Sequence, residues 1–493
     1  MFPMHRRRFL TNALHTMALG AAGLSLPSAL SRAEAAPAVP NWSLLVADIE
    51  GDIAPETLTR LHGQPPPELA GTLFRNGPAK FRRPGGNSGH WFDGDGLVRA
   101  FDLRDGKATL RARFVATEKR RVESEAGAMI MSGFGTAQKP GTKIANSDDA
   151  NAANTSVIQV GNELWALWEA GSAIRLDPAT LATIGPKTFR PDLKSVPFLA
   201  HPRFEPDGRI WNLGLAGDRA VIWRIAADGA LQSADIIRLP RASYIHDFTM
   251  TATQLILVLQ PWIEDHIATP EIAGFVWRPE QGTLVLVLDK ADLGIRRSFV
   301  LPPFFCFHMS SAWAEADGTI RFDACIYDDA AFAITGGQLL LQGIKPKNAE
   351  AQLAVITLGA DGRATLERIG VAAEFPRSDP RFSNRQHRYT VHLDRPNADM
   401  PLFRGIGIQD WRSGAHQLFD MGQGQFVEEM VFTPRPGSSN ELDGWLVGTS
   451  LNLNVGATEL HVFDAHRIAD GPICSWRASR PLPVGFHGSF IRV

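Results

Sequence analysis

Cysteine and tyrosine are both scarce, with three of each in 493 residues. Cys306, Cys325 and Cys474 allow at most one disulfide, too few for a disulfide framework, and their spacing matches no metal motif. Cys306 and Cys325 stand in apolar, strand-like runs and read as small buried hydrophobes, so no disulfide is expected. Basic runs are missing beyond pairs such as Arg82-Arg83, and the formal net charge is −2. Nothing in that pattern suits nucleic acid. No repeat of about 40–50 residues is visible, which excludes WD40 and kelch arrays. Helical periodicity is also sparse. Short helices are expected only near Pro55–Leu61, where Pro suits a first helical position, and near Glu123–Ile130, acidic then apolar.

What the chain does have is turns. Asp-Gly pairs begin at Asp105, Asp207, Asp228, Asp317, Asp361 and Asp443, most of them between alternating apolar runs such as GRIWNLGL and GTIRFDACIY. Both central residues of a type I′ turn need positive φ, so Asp-Gly in this setting marks a hairpin. Hairpins spread through the chain without helix–strand alternation imply an all-β protein. Periodicity alone leaves two sandwiches and one large β domain equally open, and no composition break marks a second domain.

The N-terminus reads as an address. Arg6-Arg7-Arg8-Phe9-Leu10 precedes an apolar stretch from Ala13 to Leu30 and then Ala33-Glu34-Ala35. Basic region, apolar core and A-x-A site form an export signal over residues 1–35, with the paired arginines of the twin-arginine route. The expected location is therefore the periplasm, the export machinery a transient partner, and residues 36–493 a single domain. Cleavage would remove four arginines and one glutamate, taking the charge to about −5.

Of 14 histidines, four interrupt apolar or aromatic runs. They are His201 in PFLAHPRF, His246 in SYIHDFTM, His308 in FFCFHMSS and His487 in VGFHGSFI. A buried imidazole needs a partner, and a metal is one way of supplying it; a hydrogen-bonded core histidine is the other. Their spacing fits no local zinc motif. Ligands so dispersed make sense in a radial fold, where strands from different blades converge on one axis.

The run LFRNGPAKFRRPGGNSGHWFDGDGLVRAF, Leu73 to Phe101, closely resembles the N-terminal signature of the carotenoid cleavage oxygenases. That resemblance implies a seven-bladed β-propeller with long loops and a few short helices forming a cap over an iron site. It implies Fe(2+), one per subunit, held by four histidines in AHP, HDF, FxFH and GFHG runs, which match His201, His246, His308 and His487. His90, inside the signature itself, is not among them. Many members carry a second histidine after the third ligand, where this chain has Met309.

The resemblance also implies three glutamates behind the histidines: Glu169 in LWALWEAG, Glu374 in AAEFPRSD and Glu429 in VEEMVFTP, with Glu428 the adjacent competitor. Thr155, in Ala153-Asn154-Thr155, matches a threonine whose methyl blocks one metal position. The implied reaction adds oxygen from O2, the cosubstrate, across a conjugated C=C bond to give two carbonyl products.

A long apolar substrate needs an aromatic tunnel, for which Phe81, Phe304 and Phe307 are candidates. It also favours peripheral membrane contact at an apolar mouth, for which Ala126–Gly135 is the candidate. Gly133-Phe134-Gly135-Thr136 resembles a run of the carotenoid and apocarotenoid branch. In the lignostilbene branch a Tyr and a Lys hold the phenol; none of the three tyrosines, Tyr244, Tyr327 and Tyr389, lies near Phe81 to Lys119, where that pair is expected, although Lys119 could act alone. A retinoid isomerase and a non-catalytic lipid- or carotenoid-binding propeller are the remaining readings.

Overall fold

Seven antiparallel sheets are arranged as the blades of a β-propeller in the computed structural model, which describes residues 41–347, 350–397 and 400–492. The expected export signal, residues 1–35, lies outside the described residues. The strands at the inner edges of the blades are Ser156–Val160, Arg203–Phe204, Thr249–Met250, Phe305–Ala314, Glu374–Arg377, Val431–Pro434 and Gly488–Arg492. The opposite edges, such as Leu231–Arg238, Ala364–Ala372 and His416–Asp420, are largely solvent-facing. Burial thus falls from the axis outward, as radial packing of sheets requires.

Apolar clusters lie between neighbouring blades. Trp165 and Phe198 pack on Trp223 at one junction. At another, Leu213 and Ile222 meet Leu255 and Leu257. Each such side chain contributes about 1.5–3 kcal/mol of transfer free energy when fully buried.

The last strand closes the ring. Gly488–Arg492 pairs antiparallel with Gly71–Arg75, in register from Gly71 opposite Arg492 to Arg75 opposite Gly488. The first blade is therefore built from both ends of the described chain. Behind this seam Arg75 is fully buried and donates to Glu429 O at 2.7 Å and Phe486 O at 2.9 Å. Its Nε lies 3.4 Å from the Glu428 carboxylate, which Arg99 meets from the other side at 3.1 Å.

Among the described residues the α-helices are Glu118–Ala126 and the single turn Gly337–Leu341. The first begins earlier than the acidic run at Glu123 suggests, because Thr117 caps it, its hydroxyl accepting from Arg120 N at 3.2 Å. It stops at Gly127, whose φ of 59° ends the helix in the left-handed region. The helix expected near Pro55–Leu61 is instead two strands, Ile53–Thr57 and Thr59–Gly63. This segment is exposed almost throughout and has no apolar stripe for a helix to bury. It gains backbone partners by adding to the outer edges of two sheets, beside Lys107–Phe114 and Cys474–Arg477. Cys306, Cys325 and Cys474 are buried and free.

Replacing Arg75 with Met should be severe, because it strips Glu428 of one of two buried counter-charges. The expected cost is about 3–5 kcal/mol in chemical denaturation. Arg121→Met, on an exposed ion pair of the helix, should leave the midpoint unchanged. Equal midpoints for the two variants would contradict the role given to the seam.

Candidate metal centre

Each inner strand delivers one chemically distinctive residue at or near its start. Thr155 precedes Ser156–Val160, His201 precedes Arg203–Phe204, and His246 precedes Thr249–Met250. His308 lies in Phe305–Ala314, Glu374 opens its strand, Glu429 precedes Val431–Pro434, and His487 precedes Gly488–Arg492. The four imidazoles meet, with one ring nitrogen of each within 4.8 Å of all the others. Nε2 of His201 is 2.9 Å from Nε2 of His246, and Nε2 of His308 is 3.1 Å from that of His487. Four neutral nitrogens aimed at one point are a donor set for a transition metal.

Alternation along a strand would send Phe307 and His308 to opposite faces. The pairing of Phe305–Ala314 with Ile320–Tyr327 shifts register between Cys306 and Met309 and again before Ala312. This irregularity lets both neighbours front the same cavity, a common use of bulges beside functional sites.

Three carboxylates hold the rings from behind. His308 Nδ1 lies 2.5 Å from Glu374 Oε2, and His487 Nδ1 lies 3.0 Å from Glu429 Oε1. His246 Nδ1 contacts Glu169. A carboxylate at Nδ1 fixes the tautomer that leaves Nε2 free to ligate. Glu428, next to Glu429, serves the Arg75–Arg99 seam instead. Among the described residues no carboxylate stands behind His201.

Two of the four rings are held neutral by burial, and a third is pulled the other way by its carboxylate. Burial, reinforced by the other three histidines, drives His201 well below its ordinary value. Burial also lowers His487 to about 4, against the pull of Glu429. Both rings are thus neutral near pH 7. Burial opposes protonation of His246 too, but Glu169 outweighs it and raises that value. Burial alone would raise Glu374, yet His308, Phe375 N–H and the Tyr327 hydroxyl hold it down as a carboxylate.

Two tyrosines and two arginines complete the frame without having been anticipated from sequence. Tyr244 donates to Glu169 Oε2 at 2.9 Å and Tyr327 to Glu374 Oε1 at 2.8 Å. Tyr244 stands two residues before His246, on the same strand-like face, which is the one local signal available. Arg203 donates to Phe248 O at 2.6 Å, Asp247 Oδ2 at 2.6 Å and Met309 O at 2.8 Å, tying together the segments that carry three of the histidines. Arg377 does the same for the fourth, donating to Glu429 Oε1 at 2.7 Å and Gly488 O at 3.0 Å.

On one side the centre opens into a cavity walled by Trp91, Phe92, Phe134, Phe307, Phe332 and Phe486 among others. Thr155 also lines it; its hydroxyl is directed to Asn154 Oδ1 at 3.1 Å, which leaves the methyl group for the cavity. On the other side a polar cavity, with Ser310, Ser311 and Ser378 in its wall, reaches His201, His308 and His487. Phe307 is therefore in the aromatic wall as expected. Phe81 and Phe304 do not line the aromatic cavity: Phe81 is buried in the apolar cluster behind the wall, with Trp91, Phe134 and Phe307, and Phe304 is buried in a separate cluster beside Cys306. The Ala126–Gly135 run is no exposed apolar patch either. Met129, Met131 and Phe134 are buried, and the Glu123 carboxylate accepts from Ile130 N and Met131 N at 3.0 Å.

The Leu73–Phe101 signature frames this cavity without donating to the centre. Asp93 accepts from Phe134 N at 2.7 Å, Gly135 N at 3.0 Å and the Thr136 hydroxyl at 2.6 Å, so it clamps the Gly133–Thr136 run and sets Phe134 in the wall. A Cβ on Gly133 would lie 2.5 Å from Asp93 Oδ1, which is why glycine is needed there. His90 Nδ1 accepts from Phe92 N at 3.1 Å, capping the turn Trp91–Asp93.

The family model described as RPE65, retinal pigment epithelial membrane protein, matches residues 47–492. The apocarotenoid-15,15'-oxygenase of Synechocystis sp. is 28% identical over 479 residues, covering 91% of this chain and 94% of that protein. Resveratrol cleavage oxygenase 1 of Aspergillus fumigatus is 27% identical, covering 90% of this chain and 93% of its own length. The crystal structure of cobalt-substituted Synechocystis ACO superposes with a TM-score of 0.82 at 25% identity, over 92% of this chain and 99% of that one.

Four glutamates also line this cavity; Glu169, Glu374 and Glu428 have partners of opposite charge or hydrogen bonds, and Glu271 differs from them. Glu271 lines the cavity, and no group among the described residues pairs with its carboxyl. Burial first, then the nearby carboxylates Glu169, Asp93 and Glu264, raise it to about 8. It is therefore a neutral acid at pH 7. The folded state holds this proton where the unfolded chain has lost it, so the associated stability is full below the ordinary carboxyl range and declines as pH rises to about 8. Binding of an apolar ligand should weaken as pH rises through about 8, where the cavity acquires a charge. Glu271→Gln should abolish that alkaline limb in a fluorescence-quenching titration; an unchanged limb would refute the assignment.

Proposed function

The chain belongs to the retinal pigment epithelial membrane protein (RPE65) family, and we propose that it is a non-haem Fe(II) dioxygenase cleaving a conjugated C=C bond of a carotenoid or apocarotenoid. The observation that carries this reading is the meeting of four imidazole nitrogens at the inner end of an aromatic cavity. His201, His246, His308 and His487 would hold the iron. Four imidazole ligands, uncharged when bound, would leave its dipositive charge intact. Bound Fe(II) would supply the redox chemistry by which the two atoms of O2 end as the oxygens of two carbonyl products.

The protein's own groups do the rest. Glu169, Glu374 and Glu429 orient three of the rings, and Tyr244 and Tyr327 orient two of those carboxylates. The Thr155 methyl fills space near the centre and excludes water there. The aromatic wall desolvates a flat polyene and stacks against it.

Support for a polyene over a phenolic stilbene comes from where the tyrosines and Lys119 are. The hydroxyls of Tyr244 and Tyr327 are directed to carboxylates, and Tyr389 packs beside His466, away from the cavity. Lys119 is buried, with Nζ 2.7 Å from Glu123 and 3.3 Å from Asp95. None of these is placed to receive a phenol. Neutral Glu271 can donate one hydrogen bond, which suits an aldehyde or hydroxyl end and so an apocarotenoid. A phenol hydroxyl could meet the same group, and the 27% identity to a resveratrol cleavage oxygenase keeps stilbenes as the second reading. We also infer export through the twin-arginine machinery, resting on Arg6-Arg7-Arg8 and Ala33-Glu34-Ala35; the expected mature N-terminus is Ala36.

Iron-loaded protein incubated under 18-O2 with an apocarotenal and, separately, with a hydroxystilbene should yield labelled aldehydes from the first. Products from the stilbene alone would overturn the substrate class, and none from either would favour a carrier. His487→Ala should lose both iron and turnover, by at least a hundredfold in rate. Full iron content in that variant would refute the four-histidine centre.

A further inference from the structure

A second group of metal-type donors lies apart from the centre, in the blade that begins with Glu374–Arg377. His392, Asp394 and His416 each place one ligand atom within 4.8 Å of the others'. They come from two strands of one sheet, separated by a third, and share one face of it. His392 and Asp394 belong to Tyr389–Pro396 and His416 to His416–Asp420, while Phe403–Asp410 runs between them. The middle strand offers no side chain at the crossing, because Gly407 stands opposite His392 there. A Cβ on Gly407 would lie 2.2 Å from His392 Cε1 and 2.8 Å from Asp394 Oδ2. This glycine is the floor of a cradle over which the rings of His392 and His416 approach, their centroids 5.4 Å apart.

The hydrogen bonds settle the state of the buried ring. His392 Nδ1 lies 2.9 Å from Leu393 O. A carbonyl can only accept, so Nδ1 carries the proton and Nε2 is a bare lone pair. That Nε2 is buried and has no hydrogen-bond partner. Asp394 Oδ2, also buried, makes no well-aligned hydrogen bond, although His416 Nε2 lies 2.8 Å away. A desolvated lone pair and a carboxylate oxygen thus face the same gap, and the one ring beside them, His416, can serve Asp394 but leaves His392 Nε2 without a donor among the described residues. A cation resolves that conflict, and a backbone carbonyl behind a ligating imidazole is the usual support for one.

We propose that His392 Nε2, Asp394 Oδ2 and His416 Nε2 bind a divalent transition-metal ion, Zn2+ by the character of the donors. Two imidazoles and a carboxylate suit that ion in tetrahedral geometry, with water at the fourth position. The side chain of His416 is 25% exposed, so the site is reachable from solvent and the outer ring can swing inward to shorten the span. The ion would staple the second strand of the blade to its outermost strand, across a middle strand that contributes only a glycine.

The test counts Zn2+ per chain by elemental analysis after equilibration with the ion and gel filtration. Wild type should hold one equivalent more than His416→Gln, a surface-edge change that leaves the core intact. Asp394→Asn should lose the same equivalent. His487→Ala, which alters only the four-histidine centre, should keep it. Zn2+ should also raise the melting temperature of wild type and His487→Ala but shift His416→Gln less. Equal Zn2+ content in wild type and His416→Gln, or loss of the equivalent in His487→Ala instead, would overturn the proposal.

Discussion

The pairing of Gly488–Arg492 with Gly71–Arg75 is the contact on which the rest of the molecule depends. It closes the ring, and it also delivers His487 to the axis, because that residue immediately precedes the closing strand. A propeller with an open seam would bring three histidines together and leave the fourth at a loose end. Closure of the ring and completion of the four-histidine cluster therefore rest on the same strand. The seam is secured by charge as well as by backbone: Arg75 and Arg99 flank Glu428, while Arg377 joins Glu429 to Gly488 O. A buried ionic cluster of this sort contributes more to register than to net stability, since desolvation offsets most of its Coulombic gain.

Rigid rings at the axis follow from who holds them. A histidine on a loop samples rotamers, whereas one whose Nδ1 is bound to a carboxylate that is itself bound by tyrosine or arginine has a single orientation. His308 is held by Glu374, and Glu374 by Tyr327; His487 is held by Glu429, and Glu429 by Arg377. Among the described residues His201 has no carboxylate behind it, and Arg203, two residues on, anchors the two neighbouring segments beside it. The difference is consistent with its charge state. Without a counter-ion behind it, His201 is the ring that burial and the other histidines depress most plainly, so it enters the centre already neutral.

Much of this was legible along the chain, for a physical reason. Turn chemistry is local, so Asp-Gly pairs announce hairpins, and a polar residue interrupting an apolar run announces an inward-facing donor. Both signals survive without knowledge of the fold, which is why His201, His246, His308 and His487 could be picked out one by one. What lies beyond a residue's own strand was not legible. Arg203 and Arg377 look like ordinary surface cations in sequence, and only convergence of blades gives them partners. Phe81 and Phe304 stand in suggestive contexts, yet whether an aromatic faces a cavity or a blade junction depends on packing several strands away. The segment Pro55–Leu61 carries a helix-start signal that two unpaired sheet edges outcompete. Gly407 is silent by nature, since its contribution is the absence of a side chain between His392 and His416.

The aromatic cavity and the polar cavity reach the same histidines from opposite sides, and this asymmetry bears on what the centre can do. A metal there would form the partition between them. The aromatic side, lined by Trp91 and Phe307, is poor in polar groups, so charge there would be weakly screened. The other side is lined by Ser310, Ser311 and Ser378 and is polar. Glu271 fits this division because its proton, held up to about 8, spares the aromatic side a further, unpaired charge at neutral pH. An ionised carboxylate at that position would draw water into the cavity and erase the difference between the two sides. The neutrality of a single buried acid thus protects the separation that ring closure and four converging imidazoles create.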